Sequence, residues 1–156
     1  MKQPEIYRQL FSKKLLFVTG KGGVGKSTLV YHLAKQASFE FDKEVTVYSV
    51  GQSGFYEDKI LNKKDRQALL GGEEVKLFPG ATVQVLRTYP SFLEYVHAKV
   101  KIPKMLLNLT NHPRIRNVIL AIPGLSQTVL LGKIWYEAQH RTQSSSNALV
   151  IVEAPP

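Results

Sequence analysis

The sequence predicts an α/β fold, a doubly wound and mostly parallel sheet with helices on both faces and a helical insert. Three observations predict it. A short apolar run leads through a glycine-rich loop into an amphipathic helix, a second β-branched run follows within the length of a βαβ crossover, and the last apolar run, Ala148 to Val152, reads as a strand buried on both faces. Strands that alternate with helices lie side by side in parallel, because each helix carries the chain back across the sheet.

Each element has its own reason. Residues 1–14 are polar, with a helical hint at Ile6, Leu10 and Phe11. Leu15-Leu16-Phe17-Val18-Thr19 has the length and composition of a buried strand. In the next segment Leu29, Leu33 and Ala37 recur every four residues beside Val30 and Ala34, which predicts a helix with that face inward. Val45 to Val50 is β-branched and reads as the second strand. Glu57 to Leu70 predicts one charged surface helix that stops at Gly71-Gly72. Val83 to Thr88 alternates as a third strand, and Pro90 opens a helix carrying Phe92, Leu93, Val96 and Val100.

Pro103, Pro113 and Pro123-Gly124 then punctuate short helical pieces, MLLNLT and RIRNVILA, before the longer helix SQTVLLGKIWYEAQ, whose Trp135 is expected in the core. These pieces make up the helical insert, at about residues 90–140. The final strand ends at Glu153, ahead of Pro155-Pro156. This inventory has four strands, whereas a doubly wound sheet usually has more and opens its ligand crevice just past the carboxyl ends of its strands. The expectation is therefore the N-terminal part of a longer domain.

Composition excludes whole classes of function. The 156 residues are 44% apolar, enough to bury a core, and they contain no cysteine, which removes disulfides, thiolate nucleophiles and thiolate metal sites. No apolar run reaches the ~18 residues of a membrane span, and the N-terminus lacks the pattern of a secretion signal, so the expected location is cytoplasmic. Twenty-one Lys and Arg against 12 Asp and Glu give a net charge of +9, which suits polyphosphate, anionic lipid, nucleic acid or an acidic protein. The cluster Lys59, Lys63, Lys64 and Arg66 lacks interleaved aromatics and reads as a solvated face, which argues against nucleic acid. His32, His97, His112 and His140 show no metal-ligand spacing.

The segment that carries chemistry is Gly20-Lys21-Gly22-Gly23-Val24-Gly25-Lys26-Ser27, which fits G-x-x-x-x-G-K-[ST] between a strand and a helix. The glycines let successive backbone N–H groups turn inward around phosphate oxygens, and the helix N-terminus adds its positive end. Lys26 is placed to reach the β- and γ-phosphates, the Ser27 hydroxyl to ligate Mg²⁺, and Thr28 to make a second polar contact. The loop, residues 20–28, thus predicts a P-loop that binds the phosphates of a nucleotide with Mg²⁺, and by itself it leaves ATP and GTP open.

The loop GKGGVGKST resembles the deviant Walker A motif of the ParA, MinD and arsenite-pump (ArsA) ATPases, marked by a lysine directly after the first glycine, here Lys21. In that family the lysine reaches across a dimer interface to the partner's nucleotide, so the resemblance implies a nucleotide-sandwich dimer. A cation supplied in trans stabilises charge on the transferring phosphoryl group and links dimerisation to nucleotide state. LRTYPSFLEYV, IPGLSQTVLLGKIW and ALVIVEAPP resemble segments of the arsenite-pump and tail-anchored-protein-targeting branch, the last of them its Walker B strand. The resemblance spans nearly the whole chain and implies an ATPase that handles a protein or membrane cargo.

The chain also departs from the family. After its second strand the family has S-T-D-P-A-H, whose aspartate orients the attacking water; this chain reads Ser49-Val50-Gly51-Gln52-Ser53-Gly54, with Gly51 at that position. Gln52 and Asp58 are the candidates to orient water in its place. Glu153 stands where the family has its Mg²⁺-facing aspartate, and it is suited either to hold Mg²⁺ through a water or to act on the attacking water. The family's metalloid cysteines and zinc-binding Cys-x-x-Cys have no counterpart. Three readings follow: an ATP-hydrolysing dimer switch with catalytic residues drawn from Lys21, Lys26, Gln52, Asp58 and Glu153; a nucleotide-binding pseudo-ATPase that partners or regulates an active paralogue; and, on the charge of +9 alone, a ParA-like nucleic-acid binder.

Overall fold

Residues 45–50 and 148–152 carry no charge and are rich in β-branched side chains, and such runs are stable where both faces of a strand are covered. A computed structural model of the chain describes residues 5–51, 54–60, 62–87, 90–91, 93, 112–114, 117 and 121–155. The elements are α1 (Glu5–Phe11), β1 (Leu15–Val18), α2 (Lys26–Phe41), β2 (Glu44–Val50), α3 (Gly54–Lys59), α4 (Lys63–Gly71), β3 (Val75–Phe78), β4 (Ala81–Leu86), α5 (Leu125–Ser144) and β5 (Ala148–Glu153).

The strands form one α/β sheet in the order β1-β5-β2-β4-β3. β1, β5, β2 and β4 are parallel, and β3 pairs antiparallel with β4 at the edge. β2 from Val45 onward and all of β5 are buried. α2 packs against β2, β4 and β5, and α4 against β3 and β4. Val30, Ala34 and Ala37 of α2 meet Val47, Val83 and Ile151 of the sheet in the main core.

The chain divides into two compact units, residues 1–86 with 138–156, and residues 87–137. The first holds the whole sheet and α1 to α4. In the second the described residues are mostly helical, with no strand among them, and the pieces MLLNLT and most of RIRNVILA lie outside the described residues. Among the described residues no helix is long and apolar enough to cross a membrane.

Four sequence expectations need correction. β3 is a fifth strand: VKLF is a short alternating run before the Pro79-Gly80 turn, and it forms a hairpin with β4. The single helix expected over 57–70 is two helices, because the Asn62 side chain accepts a hydrogen bond from the Asp65 amide at 2.7 Å and starts a new helix there. In α2 the buried stripe is Val30, Ala34 and Ala37, while Leu29 is 52% exposed. In α5 the buried stripe is Leu130, Ile134 and Ala138, and Trp135, one position round the helix from Ile134, is 60% exposed rather than in the core.

Candidate functional site

Parallel register brings three strand ends to one level: Glu153, the last residue of β5, lies opposite Val18 of β1 on one side and Ser49 of β2 on the other. The glycine-rich loop leaves β1 just beyond Val18 and re-enters regular structure at Lys26, the first residue of α2. Gly25 caps α2 with φ of 87°, a left-handed conformation that a side-chain-bearing residue adopts only at a cost, and no side chain caps the first turn. The amide ends of that turn and the positive end of the helix therefore lie beside the loop.

Lys26 is buried, and its ammonium donates to the carbonyls of Gly20 at 3.0 Å and Lys21 at 3.1 Å. The side chain curls back into the loop, so its charge sits inside the turn rather than in solvent. Lys21 itself is exposed, as are Gly20, Gly22, Gly23, Val24, Gly25 and Thr28, so the outer surface of the loop is open to a ligand.

Glu153 is the electrostatic centre of this end of the sheet. It is 1% exposed, and a buried carboxylate is tolerable only when hydrogen bonds replace its lost water. Three hydroxyls do so: Ser27 donates to Oε1, Tyr56 to Oε2 at 2.6 Å, and Ser49 to Oε2 at 3.3 Å. Burial, then the hydrogen bond to Glu153 and its negative charge, push the Tyr56 phenol far above the ordinary tyrosine range, so it remains a donor. Among the described residues every buried side-chain nitrogen and oxygen has a partner.

The structure thus joins Ser27 to Glu153, keeps Lys26 inside the loop, and ties Asp58 to neither. Asp58 is exposed on the outer side of α3, and among the described residues no hydrogen bond or ion pair ties it to the loop. Gln52 lies outside the described residues. Gly51 closes β2 with its amide donating to the Leu86 carbonyl at 2.9 Å and with φ of 74°, so its backbone is in the left-handed region. Sequence reasoning missed Ser49 and Tyr56. Ser49 had a signal, as a small hydroxyl in an apolar strand, whereas Tyr56 stands just ahead of the helix expected from Glu57 and belongs to a helix that begins at Gly54.

The basic cluster is exposed as expected, yet the Lys59 ammonium also lies 5.5 Å from the Tyr31 ring centre and 5.3 Å from that of Phe55, a cation–π arrangement. At the other end of the strands Arg141 forms an ion pair with Glu74 beside a depression of about 280 Å³ that also involves Glu44, Thr46 and Lys76. His32, His112 and His140 are exposed; His97 lies outside the described residues. No protein-family model matches the chain, and no curated protein is significantly similar to it.

Proposed function

We propose that the chain is a P-loop ATPase domain of the arsenite-pump type, which binds ATP with Mg²⁺ and uses the nucleotide to drive a dimer switch that handles a protein or membrane cargo. The observation that carries the reading is the contact of the motif residue Ser27 with Glu153 at the carboxyl end of the parallel strands, beside Lys26, which turns its ammonium into the glycine-rich loop. Open α/β sheets bind ligands at that end, and a glycine-rich turn leading into a helix N-terminus suits a polyphosphate.

Mg²⁺ fits these residues. Ser27 Oγ and the Glu153 carboxylate are hard oxygen donors in contact. Among the described residues no cluster of three or more His, Cys, Asp or Glu offers a protein cage, and Mg²⁺ is ordinarily held by one or two protein oxygens together with phosphates and water. When bound, Mg²⁺ neutralises charge on the β- and γ-phosphates. The chain's own residues do the rest. The loop amides and Lys26 hold the phosphates, the Ser27 hydroxyl directs its proton at Glu153 Oε1 and so keeps its lone pairs for a cation, and Lys21 is the cation offered to a partner subunit.

A second reading has its own observation. Gly51, at the position where the family has its catalytic aspartate, leaves the end of β2 without a carboxylate, although its backbone φ of 74° is one that aspartate can adopt. This favours a nucleotide-binding pseudo-ATPase in a heterodimer with an active paralogue.

Phosphate release from Mg-ATP, with Lys26→Ala as the blank, separates the two. Turnover above the blank supports the ATPase. ATP binding without turnover supports the pseudo-enzyme, and absence of ATP binding refutes both. Lys21→Ala is expected to bind ATP and to lose ATP-dependent dimerisation in sedimentation.

A further inference from the structure

Glu153 has two oxygens, and the structure treats them differently. Oε1 faces Ser27 at the start of α2, on the loop side. Oε2 is turned toward β2 and α3, where it accepts from Tyr56 at 2.6 Å and from Ser49 at 3.3 Å. A carboxylate oxygen has two lone pairs, so two hydroxyl donors engage both of those on Oε2. The carboxylate cannot swing out to share that oxygen without breaking two buried hydrogen bonds, because Tyr56 is itself 1% exposed and its ring packs edge-on against Phe55.

This asymmetry selects between cations. Mg²⁺ demands compact octahedral geometry and takes single-oxygen contacts or water-mediated ones, whereas Ca²⁺ gathers six to eight oxygens and often takes both oxygens of one carboxylate. A Glu153 that can present Oε1 alone suits the smaller ion. We propose that Tyr56 is a positioning residue that sets the preference of this site for Mg²⁺ over Ca²⁺ by holding Glu153 Oε2 away from the loop. The proposal rests on the nucleotide reading above. The phenol is essential to it: phenylalanine fills the same space and donates nothing.

The test measures ATP affinity calorimetrically in Mg²⁺, in Ca²⁺ and in EDTA, for the wild-type chain and for Tyr56→Phe, with each protein's metal-free affinity as its own baseline. The wild type is expected to gain more from Mg²⁺ than from Ca²⁺. In Tyr56→Phe that ratio falls by about tenfold, the usual scale for a residue that orients a metal ligand. Loss of packing alone weakens both cation states together and does not move the ratio. Ser49→Ala releases the longer of the two hydrogen bonds and is expected to narrow the ratio by less; it carries the test if Tyr56→Phe does not fold.

An unchanged ratio in the folded variant, with cation-dependent ATP binding intact in the wild type, overturns the role of Tyr56 and leaves the nucleotide reading standing. ATP binding by the wild type that is equal in all three conditions also overturns it. No ATP binding by the wild type in any condition overturns the nucleotide reading, and the cation preference with it.

Discussion

The Ser27 hydroxyl donates to Glu153 Oε1 across 126 positions of sequence. The contact joins the first turn of α2 to the last residue of β5, so the glycine-rich loop is closed against the strand beside the one it leaves. A loop with so much glycine has a large conformational entropy to lose, and an anchor at its far end reduces what a ligand must order on binding.

Removing the anchor has a stability consequence. Glu153→Ala leaves three hydroxyls without their acceptor, two of them on fully buried side chains, at a cost on the order of 3 kcal/mol. Urea denaturation is the measurement; a loss well under about 1 kcal/mol means that water replaces the carboxylate at no cost.

Lys26→Ala addresses the charge in the loop. Its ammonium makes two hydrogen bonds to loop carbonyls, and a phosphate has to draw it away from them. Loss of one charge-assisted contact predicts roughly 10- to 100-fold weaker ATP binding by calorimetry. Binding as tight as the wild type counts against the loop as a phosphate site.

Gly51 is a test of backbone rather than of chemistry. A Cβ there meets nothing within 4 Å, so any penalty comes from φ of 74° alone. Gly51→Ala is expected to cost about 1 kcal/mol, and Gly51→Asp less, since aspartate tolerates the left-handed region better. Equal stability of all three proteins in chemical denaturation contradicts the assigned conformation.

A pH dependence follows at the opposite end of the strands. Burial alone raises the Glu74 carboxyl, but hydrogen bonds from Arg141 and Thr82 and the Arg141 charge outweigh it and hold Glu74 below its usual range. Burial likewise opposes the charged form of Arg141, yet Glu74 and Tyr48 raise it, so it stays protonated throughout. A depressed carboxylate contributes stability above its unfolded value, about 4.3, and loses it as pH falls through the lower folded value. Arg141→Gln is therefore expected to be less stable than the wild type at neutral pH, by under about 1 kcal/mol for so exposed a pair. In thermal melts the difference narrows as pH falls below about 4.3 and on through the lower folded value; a difference that never narrows in acid rules out the linkage.

The fold and half of the site were legible in the sequence because they are encoded locally. Val45, Val47, Leu149 and Ile151 announce buried strands by composition, and Lys26 and Ser27 announce themselves by spacing from their glycines. β3 was missed because four residues between Glu74 and Pro79 give too short an alternation to stand out. Trp135 was misplaced because size suggested burial, while helix phase assigned the inward face to Ile134. Tyr56 was invisible for a different reason. Its role depends on where α3 begins, and a helix starting at Gly54 rather than Glu57 turns Tyr56 inward and Asp58 outward.

Among the described strands, β1 has β5 as its single neighbour, and Phe17 on it is 46% exposed. Local opening begins where backbone hydrogen bonds are fewest and solvent is nearest. Amide hydrogen exchange should accordingly be faster in the two edge strands, β1 and β3, than in β2 and β5. The glycine-rich loop spans that gradient. Its leading limb leaves an edge strand, while its trailing limb belongs to a helix packed on the core, so the loop rests on two supports of unequal stability, and the Lys26 ammonium, bonded to the Gly20 and Lys21 carbonyls, is the strut between them.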